Sequence, residues 1–152
     1  MTGELLVRRA LSGESELLER AQGLIHPQGS PFELLQEVKH PLSSLWIALE
    51  GEECVGYCLL RTVVDETEIL HIEVAEPWRK KGIGRQLMQG ALDEFANNVV
   101  FLEVRESNRS AIGLYEQHGF EVVGRREAYY GNPQEDALLM GKSIDGDQNT
   151  HV

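Results

Sequence analysis

Residues 72–85 read Ile-Glu-Val-Ala-Glu-Pro-Trp-Arg-Lys-Lys-Gly-Ile-Gly-Arg. Pro77 cannot continue a ladder inside a sheet, so residues 67–75 are expected to form a strand that stops before it. Beyond it, residues 82–97 place Ile83, Leu87, Met88, Ala91, Leu92 and Phe95 at helical spacing. The segment Arg79-Lys80-Lys81-Gly82-Ile83-Gly84-Arg85 therefore leads from a strand into the start of a helix. The first amides of a helix have no internal acceptor and carry partial positive charge. Gly82 and Gly84 let a ligand approach the backbone closely. Residues 79–92 hold four cations and no acid, in a chain that is otherwise acidic. Together these features read as a cradle for phosphate or pyrophosphate. Neither GxxxxGK[ST] nor GxGxxG is present, so the cradle is not a P-loop and not a dinucleotide fingerprint. Taken only as a charge run, the same island reads as a solvated helix face.

The chain has 152 residues with 14 Lys and Arg against 25 Asp and Glu, a formal charge of −11. That balance disfavours a general nucleic-acid binder, which needs a basic face, and is compatible with a cationic partner. Charged residues at 26% and hydrophobic residues at 41% are globular rather than disordered composition. The first fifteen residues lack the apolar run of a secretory leader, and no stretch approaches the length of a membrane span, so a cytoplasmic protein without membrane attachment is expected. Cys54 and Cys58 have no Cys/His group near them and do not make a zinc pattern. They are expected on one face of a strand as buried thiols, which fits a reducing compartment. No metal site is expected.

Working outward, residues 4–11 read as a strand. Ser12 reads as the cap of a helix running to about Ile25. The segment HPQGSP at 26–31 is a loop, and Ser30-Pro31 opens a short helix to about Lys39. Strands follow at 44–50, 53–64 and 67–75, with turns at Gly51-Glu52 and Asp65-Glu66. After the helix at 82–97 come a strand at 99–105, a helix at 108–118 closed by Gly119, and strands at about 120–130 and 135–142. The order β-α-α-β-β-β-α-β-α-β-β defines an α/β protein, with a mixed sheet of about seven strands flanked by four helices. One domain is expected over 1–144, followed by a polar tail at 145–152.

The string from Val74 to Gly84 resembles motif A of the GNAT acetyltransferase superfamily, in which [RQ]xxGx[GA] grips the pyrophosphate of coenzyme A. Independently, LEVRESNRSAIGLYEQHGF at 102–120, with Tyr129-Tyr130 and EDALLM at 135–140, resembles the RimI-like branch, which acetylates protein N-termini. The resemblance covers roughly residues 45–142. It implies the GNAT fold and acetyl-CoA as cosubstrate. It also implies an acceptor that is a protein N-terminal α-amine, the alanine of a ribosomal protein among them. A monomer or weak homodimer is expected.

Acetyl transfer to an amine needs a base, because a peptide α-amine with a pKa near 8 is mostly protonated at pH 7. By resemblance Glu103 stands at the base position and Tyr115 at the general acid that protonates the thiolate. Asn108 stands at an asparagine that contacts coenzyme A. Residues Ile72, Glu73 and Val74 match the stretch whose backbone binds the pantetheine arm and the thioester carbonyl. Arg79, Lys80, Lys81, Gly82, Ile83, Gly84 and Arg85 match the pyrophosphate loop. Strand alternation independently puts Phe101, Glu103 and Arg105 opposite Val100, Leu102 and Val104. From pattern alone, Glu103 reads equally as a partner of Arg105, Tyr115 as a core aromatic and Asn108 as a plain helix cap.

Glu68 and Glu73 are alternative bases. His71 and His26 read as structural, and Trp46 and Trp78 as packing residues. The loop HPQGSPF at 26–32 lacks the tryptophan usual in the RimI-like branch, and GNPQ at 131–134 is a short connector. Both border the acceptor groove in the superfamily, so an internal lysine or a small amine is the rival acceptor. A non-catalytic acyl-coenzyme A module is the rival of another class, and Glu103, Tyr115 and Asn108 argue against it. Neither cysteine lies near the matched positions, so transfer is expected to be direct.

Overall fold

The computed structural model describes residues 4–131 and 134–144. The strands are β1 (Leu5–Arg9), β2 (Ser43–Glu50), β3 (Glu53–Val63), β4 (Glu66–Val74), β5 (Val99–Arg105), β6 (Glu121–Gly131) and β7 (Gln134–Lys142). The helices are α1 (Ser15–Ile25), α2 (Leu34–Glu37), α3 (Ile83–Glu94) and α4 (Arg109–Gln117), with a 3-10 turn at Glu76–Trp78. Hydrogen bonding links the seven strands in the order β1-β2-β3-β4-β5-β7-β6. Parallel pairing of β4 with β5 makes the sheet mixed. The expected element order and architecture are therefore present. The polar tail falls outside the described residues, as do positions 132–133 of the GNPQ connector.

Two compact units divide the chain. One holds the chain up to Thr62 together with Leu70–Glu94, and the other holds Val63–Ile69 and the chain from Phe95 onward. In the first unit, Leu18, Ala21 and Ile25 of α1 and Leu34 of α2 pack against Leu45, Ile47 and Leu49 of β2 and Tyr57 and Leu59 of β3. Their spacing of three and four on the helix and two on the strands places all of them on facing surfaces. On the other sheet face, α3 sits close because Gly90 carries no side chain. A Cβ there would come within 2.8 Å of the Trp46 ring. Trp46 Nε1 in turn donates to Glu94 at the end of the same helix, at 2.7 Å.

Several boundaries differ from expectation for local reasons. Helix α1 starts at Ser15, and its cap position is Glu14, not Ser12. The Glu14 carboxylate accepts from the Leu11 amide and from both terminal nitrogens of Arg8, so the carboxylate and not a serine hydroxyl organises this turn. Those bonds, the Arg8 guanidinium foremost, hold Glu14 below the usual carboxylate range. The second helix is only Leu34–Glu37. Ser30 accepts from the Phe32 amide, and Gln22 spans the loop by donating to the Phe32 carbonyl and accepting from the Leu34 amide. Pro31 thus lies in a side-chain-tied loop and not at a first helical position. The β3–β4 turn is Val64-Asp65, one residue earlier than expected, with Val64 at φ +58°.

The two cysteines do not share a face. Ala48 pairs with Gly56 and Leu49 with Cys54, so Val55 is an extra residue in β3, a bulge that inverts the alternation. Cys54 joins the core with Tyr57 and Leu59, and Cys58 falls on the opposite side. Both are free thiols, pushed up by burial to about 11 for Cys54 and about 12 for Cys58.

Candidate active site

In the first unit, β4 ends at Val74 and the 3-10 turn carries the chain to Arg79. Lys80 takes φ +64° and Gly82 φ +83°. A lysine in the left-handed region is strained by roughly 1–2 kcal/mol, and such strain collects where backbone amides are aimed at a ligand. Helix α3 then begins at Ile83 with no acid in its first turn. Ile83 is buried and anchors the helix start, while Lys80, Lys81 and Arg85 are exposed. Free amides, left-handed turns at two positions and three exposed cations fit a pyrophosphate of coenzyme A. Arg79 is engaged differently. Its Nε donates to the Val74 carbonyl at 2.9 Å and its Nη2 to Glu73 Oε1 at 2.8 Å. It clamps the end of β4 to the loop.

Gly56 lets this strand end approach β3 and α3, since a Cβ there would meet the Glu73 carbonyl at 3.0 Å and Leu87 at 3.3 Å. The Ala75 amide donates to Val55 of β3. Strand parity therefore turns the Ile72 and Val74 amides toward the opposite edge of β4. The ladder between β4 and β5 joins residues 66–69 to residues 99–102, upstream of Ile72.

Beside this strand end lies a group that sequence reasoning did not assemble. The Tyr57 hydroxyl is 2.6 Å from His26 Nε2 and 2.7 Å from His71 Nδ1. His71 Nε2 stands 3.7 Å from Glu73 Oε2. The two imidazoles stack with centroids 5.5 Å apart. Burial lowers both histidines below their ordinary value against the attraction of Glu73, and raises Tyr57. His26 also lines a pocket of about 400 Å³ together with Leu24, Ile25, Gln28, Glu76 and Arg79. In the sequence His26, Tyr57 and the pair His71 and Glu73 lie far apart, with no motif connecting them.

In the second unit, β5 alternates as expected, with Val100, Leu102 and Val104 buried and Glu103 half-buried. Glu103 is not the partner of Arg105. Arg105 donates to Glu135 at 3.0 Å and lies over the Tyr130 ring. Glu103 Oε1 is 3.4 Å from Arg126, and its other oxygen, Oε2, is buried with no hydrogen-bond partner among the described residues. A buried carboxylate oxygen without a protein partner is costly, and a place for a bound donor is one reason a fold keeps one. Tyr115 is buried on α4 and rests against Phe120 with centroids 5.9 Å apart. Asn108 is the cap of α4, its side chain accepting from the Ala111 amide. Gly119 closes that helix at φ +92°. Glu68 is exposed on β4, in register with Phe101. Among the described residues there is no cluster able to hold a metal ion, and no helix is long and apolar enough to cross a membrane.

A family model described as Acetyltransferase (GNAT) family matches residues 14–120, and the chain belongs to this family, whose members draw the acetyl group from acetyl-CoA. Within the family, the chain is similar to N-alpha-acetyltransferase RimI of Mycobacterium tuberculosis, 37% identical over 114 residues, covering 72% of each chain. It is also similar to the [Ribosomal protein bS18]-alanine N-acetyltransferase of Salmonella typhimurium, 35% identical over 98 residues, covering 61% of this chain and 66% of that one. The matched stretch thus spans about two thirds of these relatives. In fold, it superposes on the ribosomal-protein-S18-alanine N-acetyltransferase from Escherichia coli with a TM-score of 0.81 at 21% identity, covering 98% of this chain and 99% of that one.

Proposed function

We propose that this protein transfers acetyl directly from acetyl-CoA to the α-amine of a protein N-terminus beginning with alanine, a ribosomal protein being the expected acceptor. The observation that carries the reading is Glu103, whose buried Oε2 has no partner among the described residues and suits an N–H of the acceptor nitrogen. The relatives named for N-terminal acetylation support it. Bound acetyl-CoA supplies an activated thioester. In this reading Lys80, Lys81, Arg85 and the first amides of α3 hold its pyrophosphate, Arg79 fixes the loop that presents them, and Asn108 contacts the coenzyme. The Ile72 and Val74 amides face the thioester carbonyl and favour charge developing there. Glu103 accepts a proton from the attacking nitrogen, and Tyr115 gives one to the leaving sulfur.

The pocket at His26, Glu76 and Arg79 suits the acceptor, since Glu76 offers an exposed carboxylate to an ammonium. Two free buried thiols are in keeping with a reducing compartment and the cytoplasm. The test is analysis of peptide products by mass spectrometry after reaction with an alanine-first peptide that also contains lysine. Acetyl on the α-nitrogen supports the reading, and acetyl on the lysine side chain overturns it.

A further inference from the structure

The acceptor nitrogen must lose two protons. An N-terminal ammonium carries three N–H bonds and the amide product one. In the complete turnover one proton ends on the thiol and the other in solvent. Glu103 accounts for the proton shed as the new C–N bond forms. The proton that must leave before attack needs its own acceptor, because the ammonium has no lone pair.

We propose that the chain His26–Tyr57–His71–Glu73 is a proton relay that strips the ammonium of the incoming acceptor before attack, a role that rests on the reading of an N-terminal acceptor given above. Of the two arrangements of hydrogens open to the Tyr57 hydroxyl, the one that turns a His71 N–H toward the Glu73 carboxylate carries the relay. His26 lines the pocket and holds its proton on Nε2, donating to the Tyr57 oxygen at 2.6 Å. Tyr57 donates to His71 Nδ1 at 2.7 Å. His71 then carries its proton on Nε2, facing Glu73 Oε2 at 3.7 Å, the longest link. A proton accepted by His26 Nδ1 releases the Nε2 proton to Tyr57. Tyr57 passes its own to His71, and His71 passes one to Glu73. The amine is left neutral and Glu73 protonated, and its partly exposed carboxyl returns the proton to water.

The surroundings suit this task. Tyr57 is fully buried, and burial holds its phenol above the ordinary value, so it passes a proton without ionising. Both imidazoles are held below the ordinary value by burial, which keeps them neutral and able to accept at pH 7. The charged groups facing the relay are Glu73, Arg79 and Glu76 at the pocket wall, with the Ser30 hydroxyl beside Tyr57 and Cys58 on the far side of its strand. Phe32 covers His71.

The experiment compares kcat/KM of the full chain and of Tyr57→Phe from pH 6 to pH 9, with thiol release from acetyl-CoA and an unblocked alanine peptide. Without the relay only acceptor already neutral reacts, so with an amine pKa near 8 the variant loses about tenfold at pH 7 and falls within about twofold of wild type at pH 9. His26→Asn, at the pocket and outside the buried core, is expected to show the same convergence and decides the matter if Tyr57→Phe melts early. A deficit in both variants that is equal at pH 7 and pH 9, or no deficit, overturns the relay. If wild type acetylates lysine side chains instead, the N-terminal reading fails separately. The relay is then judged on the same comparison, with convergence displaced toward the lysine pKa of about 10.4.

Discussion

Arg79 and Glu73 form a 2.8 Å ion pair that, with the bond from Arg79 to the Val74 carbonyl, ties the last residues of β4 to the start of the cationic loop. The first residue of the RxxGxG signature therefore acts on the shape of the loop. Its side chain is about half exposed, so the pair contributes within about 1 kcal/mol to folding. Arg79→Ala is expected to leave thermal stability nearly unchanged and to raise the dissociation constant of coenzyme A about tenfold, measured by calorimetry. An unaltered constant contradicts the role.

Gly82 holds φ +83° at the turn into α3, with open space around it. Gly82→Ala therefore meets no clash, only the left-handed penalty of about 1–2 kcal/mol. The loop is expected to relax to escape it. Coenzyme A affinity should fall while the melting temperature drops by a few degrees at most. Isothermal titration alongside a thermal melt checks both.

Glu103→Gln removes the proposed proton acceptor and keeps the size of the side chain. Turnover is expected to fall a hundredfold or more, and the loss should persist at pH 9, where the acceptor is already neutral. Stability should change by less than about 1 kcal/mol, since the Arg126 side chain is mostly exposed. A variant with near-normal turnover would move the base to Glu68 or Glu73, which Gln substitutions at those positions then test.

Stability should fall in mild acid. His26 and His71 have folded values below the unfolded one near 6.5, so the unfolded chain binds more protons between those values. Stability is full above about pH 6.5 and is lost as pH falls through the lowered folded values. Glu14, Glu135 and Asp136 are depressed, so their contribution is present above the unfolded carboxylate range and disappears only at lower pH. Denaturant titrations at successive pH should show two separate declines. The upper one should be absent in the double variant His26→Asn with His71→Asn.

The order of elements is legible because apolar spacing and punctuation agree. Val100, Leu102 and Val104 alternate, Ile83, Leu87 and Ala91 recur helically, and Pro77 and Gly119 mark ends. What was not legible depends on partners far away in sequence. The bulge at Val55 is set by the pairing of β3 with β2, and it separated cysteines that simple alternation would place together. The capping role passed from Ser12 to Glu14 because Arg8 of the preceding strand reaches that carboxylate. The place of Glu103 on β5 was legible from alternation, but its cation is Arg126 across the β6–β7 hairpin, not its strand neighbour Arg105. Tyr57 carries no signal in the sequence, because a tyrosine in an apolar strand ordinarily serves the core. Only the fold puts His26 and His71 at its hydroxyl.

The most direct test of the central claim is thiol release from acetyl-CoA with three acceptors: an alanine-first peptide, the same peptide with a blocked N-terminus and an internal lysine, and a polyamine. Release is expected with the unblocked peptide only. Release with the blocked lysine peptide or the polyamine, or coenzyme A binding with no release from any acceptor, would contradict the claim.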